Sequence, residues 1–199
     1  MDVWFHGSIA VWPSGLNFCV AKTRPWFTLG LSFMKLISCT VPHLETIRAI
    51  FNDAIATSTA LYDVEPRSEA VVRDWFAGKE QGSWPVIGLE NKAGDLLGFG
   101  TYGPFRPHAA YRYTVEHSVY VAAGHRGQGS GRLLLTQLIA LAQQQGYHMM
   151  IGGIDAANTA SIGLHKSLGF THCGSIQHAG YKFGRWLDLE FYQLLLPET

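Results

Sequence analysis

The segment from Val119 to Arg132 restricts the fold of this chain more than any other. A β-branched and aromatic stretch, Val119-Tyr120-Val121, passes through a short loop into Arg-Gly-Gln-Gly-Ser-Gly, and a leucine-rich helical pattern begins directly afterwards. Glycines tolerate positive φ and let several backbone N–H groups converge on one anion. The dipole of the following helix favours negative charge at the same point. The order strand, glycine loop, helix therefore predicts a binding site for a pyrophosphate.

The spacing of the glycines narrows the choice of ligand. A Walker loop ends in Gly-Lys-Ser/Thr, whereas this loop ends in Gly-Ser-Gly-Arg, and a dinucleotide fold needs Gly-x-Gly-x-x-Gly. The pattern Arg126-x-x-Gly129-x-Gly131 instead resembles the Arg/Gln-x-x-Gly-x-Gly/Ala signature of the GCN5-related N-acetyltransferase (GNAT) family, whose loop binds the pyrophosphate of acetyl-CoA. An ordinary glycine-rich turn that caps a helix is the alternative interpretation.

Composition limits the class of protein. The chain has 199 residues, 47% of them hydrophobic and 15% charged, which predicts a globular protein with one substantial core. Lysine plus arginine equals aspartate plus glutamate at 15 each, so a general nucleic-acid binder is not expected. Cys19, Cys39 and Cys173 are scattered and form no C-x-x-C pair. We expect reduced, mostly buried thiols in a cytosolic protein, with no disulfide framework and no metal site.

The first 33 residues differ from the rest. They are rich in aromatic side chains but show neither helical nor strand periodicity, and Pro13, Gly15, Lys22, Arg24 and Pro25 interrupt them. We expect neither a membrane span nor a secretory signal there. A regular pattern starts at Met34, which predicts an N-terminal extension of unknown role over 1–33 and a domain over 34–199. The alternative for 1–33 is an apolar arm that packs on a partner.

Periodicity and turn residues predict the order of the elements. We expect strands at 35–39, 84–89, 96–102, 111–121, 149–154, 170–177 and 186–196. We expect helices at about 44–54, at 68–77 (ended by Gly78), from directly after the glycine loop to Gly146, and at 159–168 (capped by Gly169). A hairpin is expected around Asn91–Asp95. Hairpins followed by strand–helix–strand–helix–strand predict an α/β (α+β) protein, with a mixed central sheet and helices on both faces. That is the order expected of the GNAT acyl-CoA N-acyltransferase fold.

Glu116 is the candidate general base. It lies on the predicted strand just before the glycine loop, and its mostly apolar neighbours would desolvate the carboxylate and raise its pKa. Such a group could take the proton of an amine, directly or through one water. A solvent-facing or salt-bridged strand residue is the other interpretation.

A second candidate group follows the strand that ends at Ile154. Asn158, Ser161 and His165 are spaced to share one face of a helix, and Asn158 occupies an N-cap position. Imidazole could protonate a leaving thiolate near neutral pH, as a tyrosine commonly does at the position of His165 in the larger family. His165 could equally pack against the cofactor or the core. His125 is expected to be structural or to contact the cofactor.

The loop Gly103–His108 would lie between two strands that flank the site. Arg106 offers a fixed fork of donors that suits a carboxylate or phosphinate, and two prolines would stiffen the loop. A surface arginine in a tight turn is the alternative. Phe51–Asp53 and Thr57–Thr59, at the end of the first helix, could line the acceptor site as well.

Four stretches in the correct order resemble one GNAT subgroup, the phosphinothricin (methionine sulfoximine/sulfone) N-acetyltransferases. They are 52–59 (Asn-Asp-Ala and Thr-Ser-Thr), 112–121 (Arg-Tyr-Thr-Val-Glu-His-Ser-Val-Tyr-Val), 158–170 (Asn-Thr-Ala-Ser-Ile-Gly-Leu-His and Leu-Gly-Phe) and 179–188 (Ala-Gly-Tyr-Lys-Phe-Gly-Arg-Trp-Leu-Asp). The resemblance extends from Met34 to Leu196 and does not cover 1–33.

The resemblance implies a cytoplasmic enzyme, usually a homodimer, that moves acetyl from acetyl-CoA to the α-amine of a small, glutamate-like amino acid. It assigns the base to Glu116 and places 181–186 near the partner or the acceptor, while His165 remains the candidate acid. The cofactor residues would be Val119, Tyr120, Val121, Arg126, Gly127, Gln128, Gly129, Ser130, Gly131, Arg132, Asn158 and Ser161. The acceptor residues would be Arg106, Pro107, His108, Glu116, His117 and Ser118.

Two other functions stay open at this point. A peptide N-terminus or another amine could be the acceptor, although the segment from Gly103 to Val115 carries no acid that would suit a cationic amine. A non-catalytic acetyl-CoA-binding module would keep the glycine loop without needing Glu116. Neither interpretation involves nucleic acid or a membrane.

Overall fold

A computed structural model of the chain describes residues 27–29 and 32–197. Its strands are β1 (Phe27–Leu29), β2 (Ser32–Ser38), β3 (Val86–Glu90), β4 (Leu96–Pro104), β5 (Thr114–Val121), β6 (Met149–Asp155), β7 (Thr171–Lys182) and β8 (Arg185–Leu195). Its α-helices are α1 (Leu44–Thr57), α2 (Glu69–Gln81), α3 (Ser130–Gln144) and α4 (Thr159–Ser167). Short 3-10 turns occupy Val41–His43, Ala109–Tyr111 and Ala123–His125.

The strands form one mixed sheet in the order β1-β2-β3-β4-β5-β6-β8-β7. The pair β5–β6 is parallel and the other pairs are antiparallel. A parallel pair needs a long crossover, which α3 provides. The predicted mixed sheet is confirmed.

Helices cover both faces of the sheet, as predicted. One face packs α3 and α4 against the strands, and its core includes Leu134, Leu138 and Met150. The other face packs α1 and α2 through Phe51 and Phe76. Each fully buried side chain of this size contributes about 1.5–3 kcal/mol through removal of apolar area from water.

The strands β5 and β6 part in the middle of the sheet. They pair only from Thr114 to Glu116, opposite Met149 to Ile151. Beyond that point β5 stays paired with β4 and β6 stays paired with β8. A gap therefore opens between the C-terminal halves of β5 and β6, and backbone groups of β5 beyond Glu116 face it without a partner strand.

Several element boundaries differ from the prediction. Helix α2 continues through Gly78 to Gln81, because buried Val72 and Phe76 anchor it and outweigh the cost of about 1 kcal/mol for glycine inside a helix. Strand β5 starts at Thr114, since a 3-10 turn occupies Ala109–Tyr111. Strand β7 extends to Lys182 because it pairs with β8 down to their shared turn.

The N-terminal segment is described only in part. β1 pairs with β2, which begins at Ser32, two residues before the predicted start of the domain. The proposed boundary between 33 and 34 stays a prediction, and residues 1–26, with Cys19, lie outside the described part of the chain. Cys39 is buried, but Cys173 is exposed on β7, so the expectation of mostly buried thiols fails there. Among the described helices, none combines the length and apolar character that a membrane crossing requires.

Candidate active site

The gap between β5 and β6 opens into a cleft of about 1060 Å³. It is bordered by β5, β6, the end of α1 with the loop that follows it, the loop before α3 with the start of that helix, α4 along its length, and the β7–β8 turn with the start of β8. Such a concave site at a break in the sheet is the expected place for a ligand.

The glycine loop has the conformation that its sequence predicts. Gly127 and Gly129 have φ of 73° and 83°, in the left-handed region that favours glycine. Helix α3 begins at Ser130, and its first intrahelical bond joins Leu133 N–H to the Gly129 carbonyl at 3.1 Å. The N–H groups of residues 130–132 therefore have no partner within the helix. This arrangement fits a diphosphate.

Side chains of the loop hold its shape. Arg126 donates from Nε to the Val121 carbonyl at 2.9 Å and from Nη2 to Asp53 Oδ2 at 3.0 Å, which ties the loop to β5 and α1. Gln128 donates back to the Gly124 carbonyl at 3.1 Å. The Ser130 side chain is buried. Direct contacts with a ligand therefore fall mainly to the backbone.

Arg132 bridges the two helices beside the cleft. Its Nη2 donates to Ser167 Oγ at 2.6 Å, so the start of α3 is connected to the end of α4. The side chain adds a positive charge next to the predicted diphosphate position.

The three predicted cofactor residues of β5 divide between the faces of the sheet. Val119 and Val121 pack against the core below α3, whereas Tyr120 packs in the core below α1. The Tyr120 ring lies 5.1 Å from that of Phe51 and 5.4 Å from that of Phe99. The ring is partly buried against this core, and Tyr120 also lines the cleft.

Glu116 lies where β5 and β6 part, on the face covered by α1. A Cβ placed on Gly153 would lie 3.3 Å from Glu116 Oε1, so the glycine leaves room beside the carboxylate. Burial raises the pKa of Glu116, and the nearby Arg106 guanidinium lowers it to a smaller extent. The result is a carboxylate with enhanced basicity that borders the cleft.

Of the predicted acceptor residues 106–108, Arg106 lies near Glu116. Arg106 Nη1 lies 4.0 Å from Glu116 Oε2 and donates to the Phe105 carbonyl at 2.7 Å. The guanidinium also stacks over the Phe105 ring at 4.1 Å. Arg106, Pro107 and His108 are all exposed, and none of the three is among the residues that line the cleft.

His117 and His165 form a buried pair on the opposite face of the sheet. Their Nε2 atoms are 3.0 Å apart, and their rings stack with centroids 5.0 Å apart. His165 Nδ1 lies 2.7 Å from the Ser161 carbonyl, so this nitrogen carries the proton and its Nε2 accepts from His117 Nε2–H. Within the described part of the chain, His117 Nδ1 then lacks a hydrogen-bond partner.

Both imidazoles are held in the neutral form. Burial lowers the pKa of His117 to about 3, with a further contribution from His165, and burial also lowers the pKa of His165. Both nitrogens of His165 are occupied by protein groups. The acid role of His165 stays a prediction, and this geometry does not favour it.

Asn158 is the N-cap of α4. Its Oδ1 accepts from the Ser161 backbone N–H at 3.1 Å, as the sequence predicts for an N-cap. Ser161 Oγ lies 3.5 Å from His165 Nδ1. Both residues line the cleft on the α4 side.

Two glycines that the sequence analysis did not single out are essential to this geometry. A Cβ on Gly152 would lie 2.9 Å from Nε2 of both His117 and His165, while Gly153 leaves space at Glu116. Two adjacent glycines inside a strand are a signal of close approach by other groups, and Gly152-Gly153 carries that signal.

The far wall of the cleft joins the loop after α1 to the β7–β8 hairpin. Buried Lys182 donates to the carbonyls of Ser58 at 2.9 Å and Leu61 at 2.7 Å. The Tyr62 ring occupies the space above Gly180, where a Cβ would come within 2.7 Å. Residues 57–59 line the cleft, and so do Phe183 and Arg185 from the predicted segment 181–186.

Comparison with known proteins agrees with this architecture. Residues 47–170 match the acetyltransferase (GNAT) family. The chain is 45% identical to an L-methionine sulfoximine/L-methionine sulfone acetyltransferase of Pseudomonas paraeruginosa, over 80% of this chain and 92% of that protein. It is 40% identical to an L-amino acid N-acyltransferase of Escherichia coli K12, over 85% of this chain and 95% of that protein.

A solved structure with the cofactor is also similar. It is a phosphinothricin acetyltransferase of the GNAT superfamily from Sinorhizobium meliloti in complex with acetyl-CoA. The TM-score is 0.80 at 32% identity, covering 82% of this chain and 88% of that chain. Fold and site together define an acetyltransferase that depends on acetyl-CoA. The chain belongs to the GNAT family.

Proposed function

We propose that this protein acetylates the α-amine of a small amino acid such as phosphinothricin, methionine sulfoximine or methionine sulfone, with Glu116 as the general base. The observation that carries the proposal is the position of Arg106 Nη1, 4.0 Å from Oε2 of Glu116, which lines the cleft. A guanidinium beside a basic carboxylate suits the α-carboxylate and α-amine of one amino acid. The names of the relatives support the same acceptor class.

The chain offers a consistent site for the cofactor. Acetyl-CoA supplies an activated acetyl group as a thioester. The backbone N–H groups from Gly127 to Arg132 would hold the diphosphate, because they converge at the start of α3. The unpaired backbone edge of β5 at Val119–Val121 would hold the pantetheine arm. Asn158 would border the same arm from α4.

Glu116 would prepare the acceptor. An α-ammonium must lose a proton before it can attack, and the raised pKa of Glu116 brings this carboxylate closer to the amine in basicity. Arg106 would bind the acceptor carboxylate in a charge-assisted, two-pronged contact. By orienting the carboxylate, it also directs the amine toward Glu116.

Ser118 lines the cleft on the same face of the sheet as Glu116 and would border the acceptor, whereas His117 would do so only indirectly. His117 faces the opposite side of the sheet and pairs with His165, so its part is to fix β5 against α4. We leave His165 out of the proton path because its ring nitrogens are already bound.

We further propose that the enzyme is a cytoplasmic homodimer. The β7–β8 hairpin leaves Tyr181, Phe183 and Trp186 more than half exposed, and clustered aromatic surface of this kind favours contact with a second copy. The resemblance to cytoplasmic enzymes that are usually dimeric also supports a cytoplasmic homodimer.

The proposal is tested with purified protein, acetyl-CoA and a panel of acceptors, with release of free thiol as the readout. We expect thiol release with phosphinothricin, methionine sulfoximine or methionine sulfone, and little with spermidine or an aminoglycoside. Mass spectrometry of the product should place the acetyl group on the α-nitrogen. Thiol release only with a peptide or polyamine would overturn the proposed acceptor class.

A further inference from the structure

A buried carboxylate at the end of β6 has no part in the chemistry described so far. The Asp155 side chain is 1% exposed, and its Oδ1 accepts from the Ala157 N–H at 3.2 Å. Its Oδ2 has no hydrogen-bond partner among the residues that the structure describes, and Arg185 Nη2 lies 3.7 Å from it. Burying a carboxylate oxygen without a hydrogen bond costs free energy, so a contribution to stability does not account for this ion pair.

The ion pair lies on the same face of the sheet as Glu116. Side chains alternate along a strand, so Gly153 and Asp155 share a face, and Gly153 is the residue beside Glu116 Oε1. Two residues along a strand cover about 6.6 Å. The distance along β6 from Gly153, the residue beside Glu116, to Asp155 is therefore comparable with the length of a small amino-acid side chain.

Arg185 presents the accessible part of the pair. Its side chain is 52% exposed, it lines the cleft, and it begins β8 directly after the Phe183-Gly184 turn. Leu189 and Phe183 supply apolar surface in the same part of the cleft. A guanidinium next to apolar walls suits a side chain that ends in oxygen atoms and a methyl group.

We propose that Arg185 binds the oxygen atoms at the end of the acceptor's side chain, and that Asp155 positions it. This inference rests on the proposed function and names the part of the site that selects the acceptor. Arg185 is a specificity-determining residue, while Asp155 is a positioning residue that does not touch the acceptor.

The charge of Asp155 determines which terminal groups are accepted. With the Asp155 carboxylate beside it, the positive charge of Arg185 is balanced. Its N–H groups then donate hydrogen bonds to neutral sulfone and sulfoximine oxygens. Without that carboxylate, Arg185 presents an unpaired positive charge, which favours an anionic phosphinate. Substitution of Asp155 therefore changes the order of preference among acceptors in addition to total activity.

The test compares kcat/KM for methionine sulfone with kcat/KM for methionine, which lacks the terminal oxygens. We expect the native enzyme to prefer the sulfone and Arg185→Met to lose that preference by about tenfold or more, with an unchanged KM for acetyl-CoA. Arg73→Met is the matched control, since Arg73 pairs with Glu69 on the exposed side of α2. Asp155→Asn should raise the ratio of kcat/KM for phosphinothricin to kcat/KM for methionine sulfone several-fold.

The outcomes separate this inference from the proposed function. The native enzyme could release thiol with methionine sulfone while Arg185→Met keeps the same preference for the sulfone. That result would overturn the role of Arg185 and leave the proposed function standing. A native enzyme that acetylates no amino acid would overturn both. Circular dichroism checks the fold of each variant, and Arg185→Gln provides a second variant should Arg185→Met not fold.

Discussion

Glu116 and His165 reach the same cleft from opposite faces of the sheet. The carboxylate of Glu116 lies beside Gly153, and the imidazole of His165 lies against the adjacent Gly152. Adjacent residues of a strand point to opposite faces, so β6 separates the two groups. The face below α1 carries the accessible carboxylate of Glu116, while the face below α4 carries a neutral histidine pair that joins β5 to α4.

Replacement of Glu116 by glutamine should remove the base without emptying the cofactor site. We expect kcat to fall by ~10²-fold or more, because an amide cannot take the amine proton. The affinity for acetyl-CoA, measured by titration calorimetry, should stay nearly unchanged. Unchanged turnover in Glu116→Gln would exclude this residue as the base.

Replacement of Arg106 by glutamine should change both acceptor binding and the pH profile. The guanidinium lowers the pKa of Glu116, so its removal raises that pKa further. Since the base works only when deprotonated, the acidic limb of kcat/KM should move to higher pH. The KM for the acceptor should also rise about tenfold, from loss of a charge-assisted contact. If the acidic limb does not move, Arg106 does not influence the pKa of the catalytic carboxylate. Arg73→Gln serves as the control.

Valine at position 129 should weaken acetyl-CoA binding. The φ of 83° at Gly129 is strained for a β-branched residue, so the loop would change shape where backbone N–H groups converge. We expect the dissociation constant of acetyl-CoA to rise by about tenfold or more in titration calorimetry, the equivalent of 1.4 kcal/mol. Gly124→Ala is the control, since nothing lies within 4 Å of a Cβ there. Normal affinity in Gly129→Val would mean that the diphosphate binds elsewhere.

The histidine pair should make stability depend on pH. The pKa of His117 falls from 6.5 to about 3 on folding, so between these values the unfolded chain binds a proton that the folded chain does not. The free energy of unfolding should therefore fall as pH decreases below about 6.5, by at most ~1.4 kcal/mol per pH unit for this residue. His117→Gln should show a shallower slope in urea unfolding between pH 7 and pH 4. Equal slopes in the two proteins would contradict a neutral, buried His117.

Local signals in the sequence were enough for most of the fold. The hairpin around Asn91–Asp95, the helix that starts after the glycine loop and the N-cap at Asn158 all follow from patterns within a few residues. The predicted end of α2 at Gly78 was wrong, because a local breaker signal competes there with the burial of Phe76 in a distant core. Burial of that kind depends on the tertiary structure.

The site was predictable only where its residues are close in sequence. The pairing of His117 with His165 joins positions 48 residues apart, and each histidine alone gives no indication of the other. Lys182 reaches across to Ser58 in the same way, and Asp155 meets Arg185 only because β6 lies beside β8. These contacts depend on strand order and register, which periodicity does not specify.

The most direct test of the account is a crystal structure of the protein with acetyl-CoA. We expect the diphosphate against the N–H groups from Gly127 to Arg132, the pantetheine arm along β5 at Val119–Val121, and the thioester beside Glu116. Electron density for the cofactor on another surface, away from the gap between β5 and β6, would contradict it.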